Sequence, residues 1–65
     1  MFQKGKTYTH KSMLDCVIRV LAPAYLTTKG QSVKVDWFLK NGMRLGITET
    51  IQIKNEHLNN WYEWR

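Results

Sequence analysis

Lys34, Phe38, Lys40 and Arg44 are the residues whose types and spacing best suit a chemical task. In an extended chain alternate positions share a face, so Lys34, Phe38 and Lys40 stand together, and a hairpin returns Arg44 to the same side. A ring set among cations suits a polyanion that carries bases: the ring stacks a base for about 1–3 kcal/mol while the cations follow the phosphates. The competing reading has Phe38 closing one end of a barrel or packing under the loop 25–32, because both faces of a strongly bent strand are partly covered.

A second basic group, Lys4, Lys6 and Lys11, lies near the N-terminus with Thr7, Thr9, His10 and Ser12. It could extend the anion-binding surface by ordinary side-chain contacts. It reads equally well as an edge strand guarded by lysine against aggregation. Gly5-Lys6-Thr7 imitates the end of a phosphate-binding loop, but that motif needs an earlier glycine, a preceding strand and a following helix. At the other terminus, Trp61, Tyr62 and Trp64 are candidates for a protein interface, where large aromatic residues are enriched. Two of these three are expected in the core and one near solvent.

Other chemistries find little support. Cys16 sits in an apolar stretch, where a thiol packs as a small hydrophobe, and with His10 and His57 it forms no metal-ligand spacing. Asp15, Asp36, Glu49, Glu56 and Glu63 include no recognisable acid–base pair. The expectation is a protein that is not an enzyme and uses no metal or cofactor.

Composition narrows the setting. The 65 residues suffice for one small domain spanning 1–65, with no room for a second. Three Trp, three Tyr and two Phe let so short a chain build its core from a few large side chains, each burying about 150–250 Å². A single cysteine excludes an intrachain disulfide, which points to a reducing, cytoplasmic location. The apolar stretch 16–26 is broken by Arg19 and Pro23 and falls short of the roughly 20 residues of a spanning helix, so no membrane is expected. Ten Lys and Arg against five Asp and Glu leave a net charge of +5, which favours nucleic acid, nucleotides or an acidic protein surface as partner.

The elements that must position these residues are strands. Residues 2–10 read as a first strand with Phe2, Tyr8 and the stems of Lys4 and Lys6 inward and a bend at Gly5. Residues 13–21 form a second, in which Cys16, Ile18 and Val20 oppose Asp15, Val17, Arg19 and Leu21; apolar residues on both faces make it central. Ala22-Pro23-Ala24 ends that ladder, and 25–32 is a loop. Asn41-Gly42 between 33–39 and 43–53 is a strong hairpin signal. A two-residue loop would put the two apolar series on opposite sides of the ribbon. A three-residue loop, Lys40-Asn41-Gly42 with Gly42 left-handed, instead pairs Leu39 with Met43, Trp37 with Leu45 and Val35 with Ile47. That register places Trp37, Leu45, Ile47, Val35, Ile18, Val20 and Trp61 in one core. Glu49 on the apolar side signals a bulge or strand end. Asn55 is expected to cap a 3₁₀ turn whose Leu58 and Trp61 point inward, and 62–64 form a last short strand.

Five strands and one 3₁₀ turn in this order resemble the SH3-like small β-barrel shared by SH3, Tudor-like and several ribosomal or transcription-factor domains. The resemblance spans the whole chain in element order and implies an all-β, five-stranded barrel. The acidic loop and proline-binding Tyr and Trp cluster of a peptide-binding SH3 domain are not evident, and no methyl-lysine cage can be assigned. In size and composition the chain also resembles the accessory proteins that bacteriophages encode. Two functions emerge: a nucleic-acid or nucleotide-binding module, and a protein-interaction or inhibitory module, the latter able to self-associate.

Overall fold

The computed structural model describes residues 2–65, and its fold is all-β with one 3₁₀ helix. The strands are β1 (Thr7–His10), β2 (Cys16–Val20), β3 (Tyr25–Leu26), β4 (Gly30–Leu39), β5 (Arg44–Lys54) and β6 (Trp61–Glu63), with the 3₁₀ helix at Asn55–Asn60. All pairings are antiparallel. β4 organises the sheet: β5 pairs along one edge, while β2 and β3 share the other. The order then continues through β1 to β6.

Two expectations about the sheet need correction. It has six strands rather than five, because Tyr25 and Leu26 ladder onto Ser32 and Gln31 inside the segment expected to be a loop. A tight turn permits this: the Thr27 N–H donates to the Gly30 carbonyl at 2.8 Å, and the Thr27 hydroxyl accepts the Gly30 N–H at 3.1 Å. The sheet is also not closed into a barrel. Among the described residues β5 pairs only with β4 and β6 only with β1, and the 3₁₀ helix packs against both.

Side-chain period two explains the faces. On β2, Ile18 and Val20 are buried on the core side with Cys16, whereas Val17 and Arg19 face the other way. β4 continues the pattern, with Val33 and Val35 inward and Lys34, Asp36 and Phe38 outward. β2 lies between β1 and β4, as its two-sided apolar pattern requires. Phe2, Tyr8 and Ile53 complete the core, and Trp37, Ile51, Leu58 and Trp61 pack against it. The rings of Phe2 and Tyr8 meet edge to face at 4.9 Å, and those of Phe2 and Trp61 at 5.9 Å. Lys4 and Lys6 are exposed rather than inward, because the chain turns at Gly5 (φ +86°) and β1 starts only at Thr7.

At its tip the β4–β5 hairpin has the expected three-residue loop: the Leu39 N–H donates to the Met43 carbonyl at 2.8 Å, Phe38 pairs with Arg44, and Gly42 has φ +96°. Beyond the tip the register departs from expectation. Leu45, Gly46 and Ile47 together face the single residue Trp37, so Asp36 pairs with Thr48 and Val35 with Glu49. Gly46, at φ +75°, makes the bulge. Leu45 and Ile47 are consequently 40% and 51% exposed and stand outside the core; Val33 meets Ile51 instead. The displacement is two residues, an even number, so every side chain keeps its face. Glu49 remains in water and accepts the Trp37 indole N–H at 2.7 Å.

The 3₁₀ helix is present but is not capped by Asn55. Lys54 occupies the capping position, and the Asn55 side-chain amide donates to the Thr28 carbonyl at 2.9 Å, tying the helix to the β3–β4 turn.

Gly42→Ala should cost about 1 kcal/mol, because left-handed geometry disfavours a β-carbon. No atom of the described residues lies within 4 Å of that added carbon, so the cost is conformational alone. Urea denaturation measures it, and an unchanged midpoint would refute the loop geometry.

Candidate functional site

The outward face of β1, β2, β4 and β6 gathers two cation–aromatic pairs. Arg19 lies across β2–β4 from Asp36, next to the Val17–Phe38 pair, and its guanidinium sits 4.7 Å from the centroid of the Phe38 ring. Lys40, at the end of β4, places its ammonium 4.7 Å from the centroid of Trp64. Trp64 reaches this position because β6 pairs with β1 and the Trp64 N–H donates to the Thr7 carbonyl at 2.8 Å.

Thr7, Val17, Arg19, Phe38, Lys40 and Trp64 border one hollow of about 160 Å³, with Val17 buried beneath it. Enclosing ligand pockets run to about 300–1,000 Å³, so this one suits the flat side of a ring rather than a whole molecule. Among the described residues neither Arg19 nor Lys40 has a carboxylate within ion-pair distance. Each cation lies on a ring face, at a strength of about 0.5–1 kcal/mol where water has access, and Lys40 adds one long hydrogen bond to the Met13 carbonyl at 3.4 Å; a phosphate can outbid such contacts.

Arg44 is committed differently. Its Nε donates to Asp36 Oδ2 at 2.9 Å, and Asp36 is only 7% exposed. The second carboxylate oxygen, Oδ1, is buried without a hydrogen-bond partner among the described residues. Lys34 is exposed on the same face, away from the hollow.

The N-terminal lysines do not join this group. Lys6 contacts Glu63 at 3.6 Å, Lys4 borders a separate hollow beside Phe2 and Pro23, and Lys11 is exposed after the end of β1. Thr9 and His10 near them are engaged internally. The Thr9 hydroxyl is buried and donates to the Cys16 carbonyl at 2.9 Å, while His10 Nδ1 accepts the Ser12 N–H at 3.1 Å.

The C-terminal aromatics divide. Trp61 packs on the core, with its ring edge to face with His10 at 5.1 Å; Tyr62 is 47% exposed on the edge strand; and Trp64 is half-buried at the hollow. Arg19 is the participant that sequence reasoning left out of the site. Its outward parity on the second strand was readable, but not the identity of the strand beside it.

A larger groove of about 450 Å³ opens on the core side, where the sheet fails to close, between Trp37 and Ile51 on one wall and His10 and Trp61 on the other. It offers apolar surface and two imidazoles, of which His57 stands 4.0 Å from the Glu56 carboxylate, but no cation held on a ring face, so the outward face carries the more specific chemistry. Among the described residues no group of three potential metal ligands occurs, and no helix is long and apolar enough to cross a membrane. No family model, no curated protein and no solved structure matches the chain.

Proposed function

We propose that the protein is a non-enzymatic binding module for single-stranded nucleic acid or nucleotide-like anions. The observation that carries this reading is the pair of cation–aromatic contacts, Arg19 on Phe38 and Lys40 on Trp64, around one shallow hollow. Bases stack on the two rings, the displaced Lys40 turns to the phosphates with the charge of Arg19 beside it, and exposed Lys34 extends the path. Little base sequence is read, because such stacking accepts any base and the fold offers no recognition helix among the described residues. The scaffold is an open variant of the SH3-like barrel; the strand order and the 3₁₀ helix before the last strand support that assignment.

Fluorescence anisotropy with labelled oligothymidylate and oligouridylate tests the reading. Binding is expected in the micromolar range or weaker at low ionic strength. With Arg19, Lys34 and Lys40 engaged, log K should fall against log salt with a slope of about −2, from roughly 0.7 counterions released per single-strand phosphate neutralised. No salt-sensitive binding at low ionic strength would sink it.

The second reading, a protein-interaction or inhibitory module, rests on Met43, Leu45 and Ile47, which stand in water along the β4–β5 hairpin. Capture of a partner that survives nuclease treatment and added salt would favour that reading.

A further inference from the structure

Arg19 faces two acceptors on β4 and uses only one. Residues directly opposite in an antiparallel pair bring their β-carbons to about 4.5–5.5 Å, which places Asp36 within easy reach of the Arg19 side chain. The guanidinium nevertheless lies over the ring of Phe38, two residues further along β4. Among the described residues Asp36 Oδ1 is left buried and unpaired, although its other oxygen holds Arg44. An unpaired buried carboxylate oxygen is costly, and a ring face covered by a guanidinium cannot stack a base.

We infer that Arg19 is a latch: it covers Phe38 in the free protein and swings onto Asp36 Oδ1 when a base takes the ring. This inference rests on the stacking role proposed for Phe38 and specifies how that site opens. Asp36 is a positioning residue, acting through Arg19, and Phe38 is the residue that touches the ligand. Seating Arg19 on the buried oxygen withdraws its guanidinium from water, a cost that keeps it on the ring in the free protein; once a base takes the ring, the charge-assisted hydrogen bond leaves the cation satisfied. In the open state two guanidiniums flank one carboxylate, and the excess positive charge beside the ring faces the phosphate of the stacked nucleotide.

NMR on the full ¹⁵N-labelled chain tests the latch through the Arg19 Nε–Hε signal and its contacts to the Phe38 ring. The free protein should show nuclear Overhauser contacts from Arg19 to Phe38 and fast Hε exchange. Phe38→Leu, or Phe38→Met should the first variant fold poorly, vacates the ring. Arg19 should then move to Asp36, slowing Hε exchange about tenfold, the protection expected of a charge-assisted hydrogen bond. Adding Asp36→Asn to the same variant should remove that protection. Saturating the wild-type chain with oligothymidylate should erase the ring contacts and slow the exchange equally.

Unprotected Hε in both Phe38 variants overturns the latch. So does a bound state that keeps the ring contacts, with the guanidinium sandwiched between ring and base. If oligothymidylate does not bind, the nucleic-acid reading fails, while the two Phe38 variants still decide whether Arg19 has a second seat.

Discussion

Gly30→Ala is expected to destabilise the domain more than any other small substitution on β4. A β-carbon at this position would lie 2.1 Å from the Ile53 carbonyl oxygen and 2.8 Å from the Lys54 α-carbon. Both obstacles are backbone atoms of β5, so no side chain can rotate aside. The strand itself must retreat, at the end where Gly30 pairs with Lys54 and where the Asn55 N–H is bound to the Lys29 carbonyl. Overpacking of this kind costs about 3 kcal/mol. Against a total of roughly 3–10 kcal/mol for a chain of this size, that leaves a substantial unfolded population. Urea denaturation should show a much lower midpoint than for Gly42→Ala, whose added carbon meets no atom of the described residues within 4 Å. Equal midpoints for the two variants would mean that β4 and β5 do not approach as described, and the register from Gly30 to Asp36 would fall with them.

The double substitution Phe38→Ala with Trp64→Ala should abolish detectable binding of short oligonucleotides. Each ring is expected to contribute about 1–3 kcal/mol by stacking, so the pair removes roughly 2–6 kcal/mol from a micromolar interaction. Both rings lie outside the core cluster of Phe2, Tyr8, Ile18, Val20, Val33, Val35 and Ile53, so circular dichroism of the double variant should remain that of a folded β-protein. Trp61→Ala is the informative contrast. Its ring packs on that core, and its loss should lower stability first. An unaltered affinity in the double variant, with the same salt slope, would reduce the interaction to cations alone and remove the hollow from the argument.

Much of the architecture was legible along the chain. Alternation on residues 33–39 separated Val33 and Val35 from Lys34, Asp36 and Phe38, and the structure keeps that division. Asn41-Gly42 located the hairpin, and its three-residue loop holds at the tip. The limit came at Gly46, which reads as one more position in a strand. Its left-handed backbone inserts two residues opposite Trp37, moving Leu45 and Ile47 out of the core and letting Ile51 and Ile53 take their place.

The candidate site divides along the same line. Its face was set by local physics: a period of two along β4 and the turn chemistry of Lys40-Asn41-Gly42 put Phe38, Lys40 and Arg44 on the same side. Its membership was not. Arg19 meets Phe38, and faces Asp36, only because β2 lies beside β4; Trp64 reaches Lys40 only because β6 closes onto β1. Arg44 was a free cation by position and became the partner of a buried carboxylate by cross-strand geometry. Strand periodicity and turn preference depend on neighbouring residues and can be read from them. Which strand lies next to which is settled by burying Phe2, Tyr8, Ile18 and Val35 together, and that choice involves the whole chain at once.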